Sequence, residues 1–77
     1  MPRLKLSKIN DSVYQVLNAT GEHVGNLKLI RTLWKFKAIG YDAQGEVIPG
    51  GGLLTDRHNL TFSGLDIDDI NARLVLD

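Results

Sequence analysis

The sequence predicts an α+β fold: an antiparallel β-meander of three to four strands with one C-terminal helix packed on one sheet face. Three observations lead there. An Asn or Asp followed by Ala, a polar residue, Gly and Glu occurs at residues 18–22 and again at residues 42–46. The Asx side chain bonds its own turn's backbone, and Gly takes the positive φ that closes a type I turn with a G1 bulge, so each copy reads as a hairpin. Trp34, Phe36, Ala38 and Gly40 alternate with Lys35, Lys37, Ile39 and Tyr41, the period of two of a half-buried strand. Finally, Ile67, Ile70 and Leu74 recur at helical spacing.

Along the chain, residues 3–8 form a first strand with Leu4 and Leu6 inward, at a sheet edge. Residues 13–18 set Val13, Gln15 and Leu17 against Tyr14 and Val16; a strand apolar on both faces belongs inside the sheet. Residues 23–31 place Leu27 and Leu29 on one face and Asn26, Lys28 and Ile30 on the other, and Arg31-Thr32 turns the chain back into residues 33–41. A short strand at 46–48 is stopped by Pro49, which cannot donate to a ladder. Residues 49–61 read as a loop opened by the flexible run Gly50-Gly51-Gly52, after which Phe62 enters the core. In the helix, residues 66–75, Asp66 is the N-cap, Asp68 and Asp69 suit the positive end of the dipole, and Arg73 suits the other end. So short a helix is marginal alone and must lie on the Trp34 and Phe36 face. The expected core is Val16, Leu27, Leu29, Trp34, Phe36, Phe62, Ile67, Ile70 and Leu74.

With 77 residues the chain has room for one small domain, spanning 1–77. It contains no cysteine, hence no disulfide framework and no thiolate for metal, redox or nucleophilic work, and a cytoplasmic location is expected. The first residues lack the apolar core of a signal peptide, and no run approaches the ~18 apolar residues of a membrane span, so no membrane partner is expected. The net charge of zero conceals a division. Residues 1–37 carry seven basic and two acidic side chains, whereas residues 38–77 carry two basic and seven acidic. Opposed halves of this kind favour electrostatic partners or self-association.

No residue cluster has the spacing of a known catalytic, cofactor or metal site, and none of the three is expected. The triple glycine is not followed by Gly-Lys-Ser/Thr and lies in the acidic half, which disfavours a phosphate-binding loop. Asp56, His58 and Ser63 are the residue types of a hydrolytic triad, but a triad is a matter of geometry and needs a cleft and an oxyanion hole. His23 and His58 form no HxH or HxxxH pair. Asp56, Arg57 and His58 remain a polar loop cluster with binding potential.

The open face of the sheet carries more. Lys28, Lys35 and Lys37, with Lys5, project there beside Tyr41, giving a basic surface on which lysines can neutralise phosphates and an aromatic ring can stack on a base. The order of strands then helix over residues 24–74, sheet face outward, resembles the layout of the AP2-type and integrase arm-binding DNA domains. It lacks their arginine- and tryptophan-rich strand motif, so no residue role carries over. The expected function is therefore a small non-enzymatic module that binds a protein partner or itself, with nucleic-acid binding through Lys28, Lys35, Lys37 and Tyr41 as the alternative.

Overall fold

A computed structural model describes residues 3–74. The predicted helix end at residue 75 lies outside them, as does Asp77. The two repeated turns are superimposable in their bonding. Asn18 accepts from the backbone N–H of Thr20 (3.1 Å) and Glu22 (2.9 Å), and Asp42 accepts from Gln44 and Glu46 (both 2.9 Å). Gly21 and Gly45 close them at φ +91° and +81°. Each turn therefore needs only its own five residues, and the chain reverses where the repeat predicts.

Strands β1 (Lys5–Asn10), β2 (Val13–Leu17), β3 (His23–Ile30), β4 (Leu33–Tyr41) and β5 (Val47–Pro49) follow in chain order across one antiparallel sheet. A single 3-10 turn at Thr55–Arg57 leads to β6 (Thr61–Phe62), which also pairs with β4, and the helix α1 (Ile67–Leu74) comes last. The meander and C-terminal helix are as predicted, but the sheet is wider than three to four strands. The short strand expected at 46–48 is present as β5, and the segment expected to be loop through residue 61 contributes β6. Between β3 and β4 the register sets Leu27 opposite Phe36, Lys28 opposite Lys35 and Ile30 opposite Leu33, leaving Arg31 and Thr32 as the return. Arg31 adopts φ +60° there.

The inner face buries Leu4, Val16, Val24, Leu27, Trp34, Phe36, Ala38 and Phe62 beneath Ile70 and Leu74 of the helix. Tyr14 meets Trp34 edge to face at 5.5 Å. Two expected core residues are outside it: Leu29 is 37% exposed and Ile67 38%. Both lie near the ends of their elements, Leu29 next to last in β3 and Ile67 at the first position of α1. Val24 replaces them through a β-bulge. Val16 pairs with Gly25 and Leu17 with His23, which leaves Val24 as the extra residue of its strand, buried with Gly25. The Phe36 ring lies over Gly25, where a Cβ would overlap it.

The helix is joined to the sheet by polar contacts at both ends. Asp66 accepts from the N–H of Asp68 (3.0 Å) and Asp69 (3.4 Å), as an N-cap does. Asn71, buried within the helix, accepts from the Leu4 N–H at 2.6 Å and donates to the Ile67 carbonyl at 2.9 Å and the Leu4 carbonyl at 3.4 Å. One side chain thus serves the backbone of the residue that precedes β1. At the other end Arg73 donates to the Thr61 carbonyl (2.9 Å) and lies 4.5 Å over the Phe62 ring.

The triple glycine is not a free hinge. Gly50 donates to the Ala38 carbonyl at 2.8 Å, and Gly52, at φ +87°, packs its backbone directly on Gly40 of β4. A Cβ on Gly40 would strike Gly52, and one on Gly52 would strike the Ile39 carbonyl. Close approach of two backbones explains the composition.

Truncating the fully buried Phe36 to Ala should cost about 3–5 kcal/mol, close to the entire stability of a domain this small. Urea denaturation followed by circular dichroism measures it. Asn71→Leu keeps the volume but strands the Leu4 backbone groups, a cost of about 1–3 kcal/mol; a melt within error of the parent protein would contradict the assigned role of Asn71.

Candidate functional site

None of the six strands contains an Asp or Glu, whereas five lysines lie in them: Lys5, Lys8, Lys28, Lys35 and Lys37. Among the described residues the acidic side chains are in the turns (Asp11, Glu22, Asp42, Glu46), in the 3-10 turn (Asp56) and at the start of α1 (Asp66, Asp68, Asp69). The division seen in the sequence becomes spatial. Lys8 leaves the set, because it lies on the inner face opposite Tyr14 and pairs with Asp11 at 3.1 Å. Strand alternation puts Lys5, Lys28, Lys35 and Lys37 together on the outer face, away from α1.

Among the described residues the ion pairs are Arg3 with Asp68, Lys8 with Asp11 and Arg73 with Asp69. None involves the four outer-face lysines. Lys28 and Lys35 also stand directly opposite each other, an arrangement in which like charges destabilise a strand pair. Lys37 faces Asn26 across the same strands and donates to Asn59 Oδ1 at 2.8 Å, which holds its ammonium in place.

Near the end of the sheet that carries the twin turns, a hydrogen-bonded chain orients the aromatic residue. His23 Nε2 lies 2.9 Å from Asn26 Oδ1, and His23 Nδ1 lies 3.0 Å from the Tyr41 hydroxyl. A carboxamide oxygen only accepts, so Nε2 carries the proton and, in the neutral ring, Nδ1 accepts from Tyr41. The Tyr41 ring remains 48% exposed. Ile30 is exposed on the same face, Ile39 is half-buried, and Val47 of β5, paired with Tyr41, is exposed at the margin.

Beside Tyr41 the face dips into a pocket of about 380 Å³, lined among others by Asn26, Lys28, Lys37, Ile39, Val47 and His58. His58 forms one wall by an unusual use of its ring. Between β6 and β5 no strand borders β4, and the Ala38 N–H donates instead to His58 Nδ1 at 3.0 Å. The proton of that neutral imidazole is therefore on Nε2.

The loop cluster disperses. Asp56 is exposed, Arg57 donates from Nε to the Arg73 carbonyl at 3.0 Å at the end of α1, and His58 turns to the sheet. Because His58 Nδ1 is occupied by Ala38, it does not orient toward Asp56 as a triad histidine would. Among the described residues no three His, Cys, Asp or Glu side chains gather where they could hold a metal ion. No helix among them is long and apolar enough to cross a membrane. The outer face thus brings together Lys28, Lys35, Lys37 and Tyr41, and adds Asn26, Val47 and His58, which periodicity alone did not single out. Asn26 had the right parity on β3 to be found. The place of His58 depends on a long loop folding back and had no local signal. Comparison with protein-family models, with curated proteins and with solved structures gives no match to this chain.

His58→Ala removes the partner of the Ala38 N–H within a buried strand position, at an expected cost of about 1–3 kcal/mol. Amide hydrogen exchange checks the cause: protection of Ala38 should fall more than that of Val16 on β2, two strands away from β4. Equal loss at both sites would mean that His58 acts through the fold as a whole.

Proposed function

We propose that this protein is a non-enzymatic binding module whose open sheet face takes a nucleic-acid strand. The observation that carries this reading is the lysine set Lys5, Lys28, Lys35 and Lys37: four ammonium groups on one uncovered face without a carboxylate partner among the described residues, two of them opposed across strands at a cost in stability. A face built only for solvation gains nothing from that repulsion, whereas a polyanion relieves it. Lys28, Lys35 and Lys37 contact phosphates, and Tyr41, held by His23, offers its ring to a base. A ring that stacks on a base edge-free of its duplex suits a single strand better than a double helix.

A second reading has its own support. Ile30, Leu33 and Val47 are exposed on or beside this face, an apolar content suited to a protein partner or a second copy of the chain. Apposing two such faces would set lysine against lysine, so self-association is favoured elsewhere, at the edge strand β1. Sedimentation at high concentration and at two salt levels separates the readings, because apolar pairing survives salt and phosphate neutralisation does not.

Neutralising about four phosphates of a single strand gives a slope of about −3 for log Kobs against log salt. Lys35→Glu combined with Lys37→Glu should abolish binding while the domain stays folded, since Glu opposite Lys28 replaces a repulsive pair by an attractive one. Fluorescence anisotropy with a labelled oligonucleotide measures both quantities. Binding that ignores salt, or that persists in the double variant, would remove this reading.

A further inference from the structure

The pocket beside Tyr41 has a chemistry narrower than that of the face around it. Four hydrogen-bond donors line it and no carboxylate does. Lys28 has no ion-pair partner among the described residues, and Lys37, although bonded to Asn59, retains further N–H donors. Asn26 spends its carbonyl oxygen on His23, which turns its NH2 group outward from that bond. His58 spends Nδ1 on Ala38 and so has Nε2–H as its remaining polar group. In His58 the structural bond uses the only acceptor of the neutral ring, and in Asn26 it engages the carbonyl oxygen while the NH2 group keeps its donors. Ile39, Val47 and Pro49 supply an apolar wall opposite.

We infer that this pocket is a subsite for a phosphate monoester, with Lys28 and Lys37 matching its charge, Asn26 and the His58 Nε2–H its oxygens, and the Ile39–Val47–Pro49 wall the organic group it carries. A monoester bears close to two negative charges at neutral pH and three terminal oxygens, which fits two ammonium groups and two neutral donors. A carboxylate bears one charge and is best met by the planar fork of an arginine, absent from this pocket; lysine acts on phosphate as a point charge. The monoester has two sources, the terminal phosphate of a nucleic-acid strand or a free phosphorylated small molecule. The inference shares Lys28 and Lys37 with the proposed function and deepens it when the source is a strand end.

The test is an amide NMR titration with inorganic phosphate, adenosine monophosphate and adenosine, followed by a short oligothymidylate with and without a 5′-phosphate. Phosphate and the monophosphate should give saturable shifts at Asn26, Ala38 and Gly50, and adenosine none. Val47→Glu places a carboxylate at the exposed rim and should weaken monophosphate binding at least about tenfold more than the uncharged Val47→Gln, which removes apolar contact but adds no charge. Equal responses to adenosine and its monophosphate, or a Val47→Glu variant that binds like the parent, would overturn the inference. A 5′-phosphorylated strand that binds about tenfold more tightly than its 5′-hydroxyl form assigns the strand end as the source; equal binding of the two strands beside a tight monophosphate assigns the small molecule. If the 5′-hydroxyl strand shifts Lys35 and Tyr41 while the monophosphate is silent, the pocket inference fails and the proposed function stands. The monophosphate binding while no strand does gives the reverse.

Discussion

Strand β4 must satisfy every backbone donor and acceptor along nine residues that carry the largest side chains of the core, and most of the second half of the molecule is arranged around that requirement. On one side β3 pairs with Leu33 to Ala38 in a continuous ladder. On the other, no single segment is long enough. Thr61 and Phe62 pair with Lys35 and Trp34, Leu60 and Asn59 exchange bonds with Phe36 at 2.8 and 2.7 Å, and β5 pairs with Ile39 to Tyr41. Ala38 lies between, and there the chain supplies an imidazole nitrogen for its N–H and the Gly50 N–H for its carbonyl. Leaving those groups unpaired would cost about as much as a lost buried hydrogen bond for each. Asn71 solves the same problem for Leu4 from the helix. In both places a side chain does what a neighbouring strand would otherwise do.

That arrangement also produces the site. The route by which residues 50–60 return to β4 brings His58 to the margin of the outer face, and β5 raises Val47 and Pro49 opposite it, so the pocket is a by-product of completing the sheet. Its polarity follows in part from the same bonds, because the Ala38 N–H occupies His58 Nδ1 and leaves Nε2–H as the remaining polar group of that ring. The lysines are a separate matter. Sheet stability would favour opposite charges in the Lys28 and Lys35 pair, and the acidic residues that could provide them occupy turns, where Asp42 caps its own backbone, or the start of the helix, where Asp66 does so. Turn and helix chemistry draw the carboxylates away from the strands and leave the outer face with one sign of charge.

Local rules account for what the sequence made legible. The Asx-Gly turns, the alternation through Trp34 and Phe36, and the capping by Asp66 each involve bonds within a few residues, and each is read from composition at fixed offsets. The outer-face residues Lys28, Lys35, Lys37 and Tyr41 follow from the same alternation. What was hidden required distant partners. Leu29 and Ile67 have core parity, but exposure at element ends depends on what lies above them. Val24 is inward only because a bulge shifts the β2–β3 register. The triple glycine looked flexible because nothing nearby in sequence announces that Gly40 will lie beneath it. Asn71 and His58 are polar residues whose partners are 67 and 20 residues away, and no periodicity encodes such pairs.

The bond between Asn71 and Leu4 reaches from the residue before β1 to α1, and Arg3 to Asp68 at 2.9 Å runs beside it across 65 residues. The two hairpins, by contrast, close within their own turns. Loop-closure entropy is larger for the contacts that join the ends of the fold than for either hairpin. Fraying of α1 would release Leu4 and uncover the core together, which couples the margins of this small sheet to its centre and makes them part of one cooperative unit.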